Sequence, residues 1–385
     1  MRMEKTLPFF IALYFLASFP SISASQIVLG AALVIWAVHH IRHRKIPAFP
    51  PFFWALIGYA ALSLLASAFS DNPAVSFKDS RELLIFLVIP IVYVGITRAE
   101  DLKRIGWAFL ASALLSILFS LAYFLWKAAP GERISGFMDH YMTQAGLLLL
   151  FSAVALSQSL FTREKSRWIW GGGFLLASVA LVMTLTRNAW VGVFVVIAVL
   201  LGLFKPKALV LIPVAAALFF LASPQPVKRR ALSIFDPQSY SNAQRIEYLQ
   251  AGFKIIKDYP LLGTGPNTVH VIFQQPRYGL SEVARNNVHL HNNILQIAAE
   301  RGIPTLLVWL GFMTWVFLAL LRMAREKQDP LLFVYAAAAL SALAGLFAAG
   351  FFEYNWGDSE VVTLFLGLIT LPFGLERSLQ ARAEE

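Results

Sequence analysis

Residues 331–352 read LLFVYAAAALSALAGLFAAGFF, a run of 22 residues without a charged side chain. An apolar run of about 17–25 residues is long enough to cross the hydrocarbon core of a bilayer as a helix. Backbone groups in lipid must find their hydrogen bonds within the segment, so a helix is the structure that such a run is predicted to adopt. This stretch is therefore predicted to be a transmembrane helix.

The rest of the chain repeats this pattern. Of its 385 residues 58% are hydrophobic and 14% are charged, whereas a soluble protein has about 25% charged residues. The composition predicts an all-α polytopic integral membrane protein with about twelve transmembrane helices. The predicted segments lie near 7–23, 26–41, 49–69, 83–97, 105–126, 142–161, 168–185, 189–204, 208–223, 304–321, 331–352 and 361–376.

The positions of the basic residues predict the orientation. The net charge of +10 is compatible with nucleic-acid binding in a soluble protein. If the N-terminus is cytoplasmic, however, 18 Lys and Arg fall in the cytoplasmic loops and ends, and only 5 fall in the short loops opposite. This bias follows the positive-inside rule. Both termini are therefore predicted to be cytoplasmic, and no nucleic-acid partner is expected.

The start of the chain has two interpretations. A basic pair, an apolar run from Leu7 and small residues at 21–25 are typical of a signal peptide. A retained first helix is the simpler interpretation. Either one leaves the predicted orientation of the later segments unchanged.

One long segment interrupts the short-loop pattern and divides the chain into 1–223, 224–303 and 304–385. The segment 224–303 holds 9 Lys and Arg and 5 Asp and Glu, and the predicted orientation makes it a large loop on the non-cytoplasmic face. Within it, apolar residues at 246, 249, 253 and 256 have the period of an amphipathic helix over 242–256. A loop with such structure is where function is expected.

Turn and cap residues predict the remainder of this loop. Gly263 and Gly265 follow the amphipathic helix and suit unusual backbone angles. A second helix is predicted from about His291 to Arg301. Gly302 is expected to end it, before Pro304 opens the next span.

Three arginines are candidates for an anion site. Arg187 lies between two apolar runs, where a guanidinium is costly unless it reaches the headgroups or faces inward toward an anion. Arg245 belongs to the amphipathic helix and Arg133 to another loop on the same side. Either residue, taken alone, is typical of a charged side chain exposed to solvent. Together they offer guanidinium forks that match phosphate oxygens, so they are candidates for binding a diphosphate.

His291 is the candidate general base, because an imidazole can accept a proton near neutral pH. The alternative for a single loop histidine is structural hydrogen bonding. His289 and His291 also form a His-x-His pair, but the nearby Glu282 and Glu300 lack the spacing of metal ligands, and the chain has no cysteine. There is no phosphate-binding glycine loop and no Asp-x-Asp pair. Neither a metal nor another cofactor is predicted.

The sequence around His291 carries a longer motif. His291 and Asn292 are followed by nine residues, Gly302, two residues and Thr305. This spacing resembles the O-antigen ligase family, membrane glycosyltransferases grouped with O-antigen polymerases and O-oligosaccharyltransferases. The resemblance extends over the whole chain, because the count of spans and the position of the large loop also agree.

The flanks of the loop support this resemblance. A span ends in the arginine of Thr-Arg-Asn-Ala-Trp at 186–190, and the loop continues through Arg245 to Tyr-Pro-Leu-Leu-Gly-Thr-Gly at 259–265. One departure is Asn188, where members of the family commonly have glycine.

The resemblance implies transfer of a glycan from undecaprenyl diphosphate to lipid A–core at the periplasmic face of the bacterial inner membrane. It implies an inverting glycosyltransferase that needs neither metal nor ATP. His291 would be the general base, and Arg187 and Arg245 would bind the diphosphate. The expected substrate-binding residues are Arg133, Asn292 and Glu353. Glu353 and Asp358 are candidates for orienting the histidine or binding sugar.

Two alternatives remain open from sequence. An O-antigen polymerase or a protein O-oligosaccharyltransferase of the same superfamily would use the same chemistry on another acceptor. A transporter of lipid-linked or anionic solutes would also have about twelve spans, but it would place polar residues at mid-membrane. Here the ionisable residues cluster at one boundary of the spans.

Overall fold

The computed structural model describes residues 3–44, 46–127, 132–327 and 329–384. Arg2 and Lys45, which enter the charge count, lie outside the described residues. The described residues form α-helices and short 3₁₀ segments and contain no β-strand, as the predicted all-α class requires. The α-helices are α1 Met3–Ala17, α2 Ile22–His43, α3 Phe53–Ala68, α4 Pro73–Asp79, α5 Val88–Gly95, α6 Ala99–Lys127, α7 Tyr141–Phe161, α8 Arg167–Met183, α9 Arg187–Phe204, α10 Leu211–Ala222, α11 Gln225–Leu232, α12 Tyr240–Asp258, α13 Val269–Ile272, α14 Glu282–Arg285, α15 Asn293–Glu326, α16 Pro330–Ala349 and α17 Ser359–Ala383. The 3₁₀ segments are Ser80–Leu87, Pro206–Val210, Pro276–Tyr278 and Asn355–Gly357.

Seven described helices are long and apolar enough to cross a membrane, namely α2, α6, α7, α9, α15, α16 and α17. Shorter apolar helices cover 6–17, 53–68, 167–183 and 206–222. Together these coincide with every predicted segment except 83–97, where a 3₁₀ segment runs into the eight residues of α5. The chain is therefore a multi-pass helical protein with seven candidate spans, and the count of twelve stays a prediction.

Helices α7, α16 and α17 lie at the centre of the bundle, with most of their residues buried. Small side chains make this packing possible. A Cβ added to Gly345 of α16 would lie 2.8 Å from the carbonyl oxygen of Gly192 in α9. The two backbones therefore approach closely, as small residues allow between membrane helices.

Residues of the 224–303 segment form a second, smaller core. It includes Tyr248 and Ile255 of α12, Phe273 and Leu290, and Leu295 of α15. The segment is structured, as its periodicity predicted. The division of the chain into three domains stays a prediction.

The predicted amphipathic helix is confirmed as α12, but a different face of it is buried. Leu249 and Phe253, which define the apolar period, are 43% and 61% exposed. The helix packs through Tyr248, Ala251 and Ile255 instead. A Cβ added to Gly252 would lie 3.4 Å from the Leu295 side chain and 3.5 Å from the Leu290 side chain, so this face of the helix packs in van der Waals contact with the smaller core.

The unusual backbone angles predicted at Gly263 and Gly265 are confirmed, with φ of +68° and +104°. The amides of Thr264 and Gly265 donate to the carbonyls of Ala299 and Glu300 at 2.9 Å. The predicted second helix begins at Asn293 rather than His291, because His291 has φ +51° and lies outside the helix. Gly302 breaks α15 with φ +81°, at the position where the sequence predicts a stop.

Candidate functional site

The centre of the candidate site is a contact between His291 and Glu353. His291 precedes α15 and Glu353 follows α16, and the imidazole Nδ1 lies 3.0 Å from both carboxylate oxygens. The amide of Asn293 donates to the carbonyl of Gly350 at 2.8 Å, which joins the two segments beside this pair. The left-handed backbone of His291 costs about 1–2 kcal/mol. Such a conformation persists where surrounding contacts require it, most often at functional sites.

The partners of His291 decide which ring nitrogen carries the proton. The Glu353 carboxylate only accepts hydrogen bonds, so Nδ1 is the protonated donor. Nε2 then accepts from the Asn287 amide, 2.6 Å away. A substrate hydroxyl that replaces Asn287 would meet a lone pair on Nε2, which is the geometry that a general base needs.

The Glu353 side chain is buried, yet it remains a carboxylate. Burial alone would raise the pKa of Glu353, but the hydrogen bond from His291 and the charge interactions with His291 and His289 lower it below its usual value. A carboxylate hydrogen-bonded to Nδ1 fixes the orientation and the tautomer of an imidazole. Glu353 therefore orients His291.

His289 lies beside this pair, with Nε2 3.5 Å from a carboxylate oxygen of Glu353. Burial lowers the pKa of His289 to about 4, against the opposing charge of Glu353. The ligand atoms of His289, His291 and Glu353 lie within 4.8 Å of one another, and two histidines with a glutamate can bind zinc. The direct hydrogen bond between His291 and Glu353 satisfies both groups without an ion. The absence of a metal cofactor stays a prediction.

A network of buried contacts holds the loop that carries Glu353. The Asn293 amide donates to the Asn355 side chain at 2.6 Å and accepts from the backbone amide of Trp356 at 3.0 Å. Arg301 donates to the hydroxyl of Tyr354 at 3.3 Å. Because these groups are fixed by packing, the carboxylate is positioned before any substrate binds.

Arg187, at the start of α9, is buried and faces the 224–303 segment. Its guanidinium donates to the carbonyl of Ser233 at 2.8 Å and to the side chain of Asn242 at 2.7 Å. The charge of Arg187 interacts with Arg230, Arg245 and Arg133. The three arginines predicted from sequence therefore lie in one electrostatic cluster, with Arg230 as a fourth member.

Arg245 connects this arginine cluster to the histidine pair. Its Nε donates to the carbonyl of Phe352, the residue before Glu353, at 3.2 Å. Burial lowers the pKa of Arg245, although the charge of Glu353 opposes this. Arg133 stacks its guanidinium 4.3 Å from the centroid of the Tyr141 ring.

Arg230 was not predicted from the sequence as a site residue. It lies in the basic run Lys228–Arg230 of α11, which is typical of a solvated loop. Its Nε donates to the carbonyl of Leu185 at 3.2 Å. Burial lowers the pKa of Arg230, and the charges of Arg133 and Arg245 lower it further. A bound anion would relieve this repulsion.

Both polar atoms of the Asn292 side-chain amide have hydrogen-bond partners within the protein. Its oxygen accepts from the backbone amide of Leu295 at 3.0 Å and caps α15, and its nitrogen donates to the carbonyl of Phe351 at 3.0 Å. These contacts fix the 350–358 loop to the motif. A substrate contact by Asn292 stays a prediction.

The remaining motif residues have backbone roles. A Cβ on Gly302 would lie 2.0 Å from the carbonyl oxygen of Leu261, so only glycine fits there. The Thr305 hydroxyl donates to the carbonyl of Arg301 at 2.6 Å, in the first turn after the break. The motif thus joins His291 to the helix break at Gly302.

The fold and the site define a helical membrane protein in which a histidine–carboxylate pair lies beside an arginine cluster. Residues 172–310 match the family model described as O-antigen ligase. This match supports membership of the O-antigen ligase family and confirms the resemblance seen in the sequence. Such membership implies a membrane glycosyltransferase of the O-antigen ligase or polymerase type. No curated protein sequence matches the chain.

Proposed function

We propose that this protein is an O-antigen ligase. It transfers a glycan from undecaprenyl diphosphate to the lipid A–core oligosaccharide at the periplasmic face of the bacterial inner membrane. The family match and the position of the arginine cluster beside the histidine–carboxylate pair support this proposal.

In this proposal His291 activates the acceptor. An acceptor hydroxyl displaces the Asn287 amide from Nε2 and gives its proton to that nitrogen. The ionised Glu353 on Nδ1 stabilises the imidazolium that results. Positioned acid–base catalysis of this kind contributes about 10²–10⁴-fold to a rate.

The arginines act on the leaving group. As the acceptor oxygen bonds to the anomeric carbon, the bond from that carbon to the diphosphate breaks and its electrons remain on the diphosphate. Arg187 and Arg245 bind this diphosphate, with Arg133 and Arg230 adding positive charge. Cations that are already positioned where negative charge develops stabilise the transition state, because they do not have to reorganise during the reaction. Direct displacement inverts the anomeric carbon and requires neither ATP nor a metal.

One contact supports the proposal more strongly than the other observations. Arg245 donates to the carbonyl of Phe352, the residue before Glu353, and Glu353 accepts a hydrogen bond from His291. This contact supports the proposal that the proton acceptor and the diphosphate site are adjacent, although their residues come from separate segments. Transfer from a diphosphate to a hydroxyl requires both.

The test is transfer by the purified protein in lipid nanodiscs, with lipid-linked O-antigen as donor and O-antigen-free lipopolysaccharide as acceptor. His291→Ala should lower kcat about 10²–10⁴-fold, because the proton acceptor is lost. His43→Ala, at an exposed position of α2, is the matched control and should retain full activity. Activity should persist with a chelator and without ATP. Full activity of a folded His291→Ala variant would contradict the mechanism.

A deletion strain separates the ligase from its alternatives. Loss of a ligase leaves lipopolysaccharide that ends at the core and accumulates lipid-linked polymer. Loss of a polymerase instead leaves a core capped with a single repeat. An unglycosylated protein substrate would indicate an oligosaccharyltransferase, and a transporter would transfer no glycan in the nanodisc assay.

A further inference from the structure

A cavity of about 320 Å³ adjoins the candidate site. Its wall includes Glu353 and His289 on one side and the residues around the starts of α7, α9 and α17 on the other. Ligand pockets span about 300–1,000 Å³. This cavity is at the lower end of that range, which suits a sugar ring or two but not a lipid chain.

The charges in the wall differ from those of the arginine cluster. Three carboxyl groups line the cavity, from Glu353, Asp358 and Glu360, and none of the described lining residues is a lysine or an arginine. Carboxylates repel phosphate, so the diphosphate belongs with the arginines. The cavity instead suits an uncharged ligand rich in hydroxyl groups, which carboxylates bind as acceptors.

Asn188 is the most informative residue of the wall. The residue is only 9% exposed, and it lines the cavity. An amide in the wall of a cavity can be satisfied by water or by a bound ligand. It offers both a donor and an acceptor, which two neighbouring hydroxyls of a sugar ring would satisfy.

Asp358 provides a second polar contact for the same ligand. Its Oδ2 accepts from the hydroxyl of Thr143 at 2.6 Å, and its Oδ1 caps α17 through the amide of Val361. Burial raises the pKa of Asp358, the hydrogen bond from Thr143 opposes this increase, and the neighbouring Glu360 adds to it. A carboxyl group at this position can form hydrogen bonds with the hydroxyls of a ligand.

We propose that this cavity is a subsite for an uncharged sugar ring, bound by Asn188 and Asp358 beside Glu353. The assignment to a substrate of the transfer reaction rests on the proposed function. The ring belongs either to the glycan next to the diphosphate of the donor or to the acceptor oligosaccharide. Both sources present the same hydroxyl chemistry, and kinetics with separate substrates tells them apart.

The first experiment measures KM for donor and acceptor separately in Asn188→Ala. Loss of one or two hydrogen bonds should raise KM about tenfold for the substrate that occupies the cavity. The KM of the other substrate should remain unchanged, and kcat should change far less. Asn286→Ala, which removes the same amide from an exposed position, is the control and should leave both constants unchanged. Unchanged KM values in a folded Asn188→Ala variant would overturn the subsite.

A second experiment needs no turnover. Saturation-transfer NMR with neutral methyl glycosides should detect binding to the wild-type protein and weaker binding to Asn188→Ala and Asp358→Asn. Inorganic pyrophosphate should not displace the glycoside. The subsite would be refuted if pyrophosphate displaced the glycoside, or if both variants bound the glycoside as well as the wild type does. If glycoside binding is lost in the variants but the wild type transfers no glycan, the proposed function fails and the subsite stands.

Discussion

At the scale of single residues, Glu353 connects the parts of the site. It accepts a hydrogen bond from His291 and lines the cavity beside the candidate site. The residue before it, Phe352, provides the carbonyl to which Arg245 donates. The Glu353 carboxylate stays ionised in a buried position because His291 donates to it. Removing that charge should therefore affect catalysis more than folding.

We expect Glu353→Gln to lower kcat about 10²–10⁴-fold, because an amide cannot stabilise an imidazolium as a carboxylate does. The measurement is kcat in the nanodisc assay, with the melting temperature as a check on folding. Glu282→Gln removes a carboxylate from an exposed position of α14 and should keep wild-type kcat. Comparable kcat for the two variants would show that Glu353 does not act through His291.

At the scale of elements, α15 connects the site to the membrane bundle. Its first part, from Asn293 to Arg301, is the nine-residue spacer of the motif and makes the buried contacts with the 350–358 loop. Its second part is a candidate span. The break at Gly302 makes room for the 260–265 segment, and the amide of Ile303 donates to the carbonyl of Pro260 at 2.9 Å.

Gly302→Ala should destabilise the protein by about 2–4 kcal/mol, since alanine disfavours a positive φ and its Cβ would overlap the carbonyl of Leu261. The control is Gly311→Ala in the same helix, where an added Cβ has no heavy atom within 4 Å. That variant should keep the wild-type melting temperature or raise it slightly. The measurement is thermal unfolding in detergent, and equal melting temperatures for the two variants would contradict the role of Gly302.

At the scale of the whole molecule, the arrangement requires one orientation in the membrane. The proposed site must face the compartment where lipid A–core is modified. The distribution of Lys and Arg predicts that the 224–303 segment faces the periplasm and that the 42–48 loop faces the cytoplasm. The chain contains no cysteine, so a single introduced thiol reports its own accessibility.

Phe235→Cys and Ile46→Cys test this orientation, because the native side chains are 85% and 93% exposed. A membrane-impermeant maleimide should label Phe235→Cys in intact spheroplasts. It should label Ile46→Cys only after detergent opens the membrane. The cysteine-free wild type is the blank, and the opposite labelling pattern would reverse the predicted topology.

The candidate site was predictable in part from residue type. Arg187 was detectable because a cation between apolar runs is costly without a role, and His291 was detectable from its motif. Arg230 was not detectable, because the local sequence of a basic run is the same whether its arginine is exposed to solvent or belongs to a site. Glu353 was a candidate for orienting the histidine, but local sequence did not determine its contact with His291, because the two residues are distant in the chain. The exposure of Asn188 to a cavity was not predictable for the same reason.

By itself, the sequence determined the helical class, the candidate membrane segments, the structured 224–303 segment and the helix break at Gly302. These follow from local properties, namely apolar length, periodicity and the backbone freedom of glycine. The tertiary structure alone decided which face of α12 is buried, which nitrogen of His291 is free to accept a proton, and how four arginines meet. Each of these depends on packing between distant segments, where contacts of similar energy compete and local propensity does not choose among them.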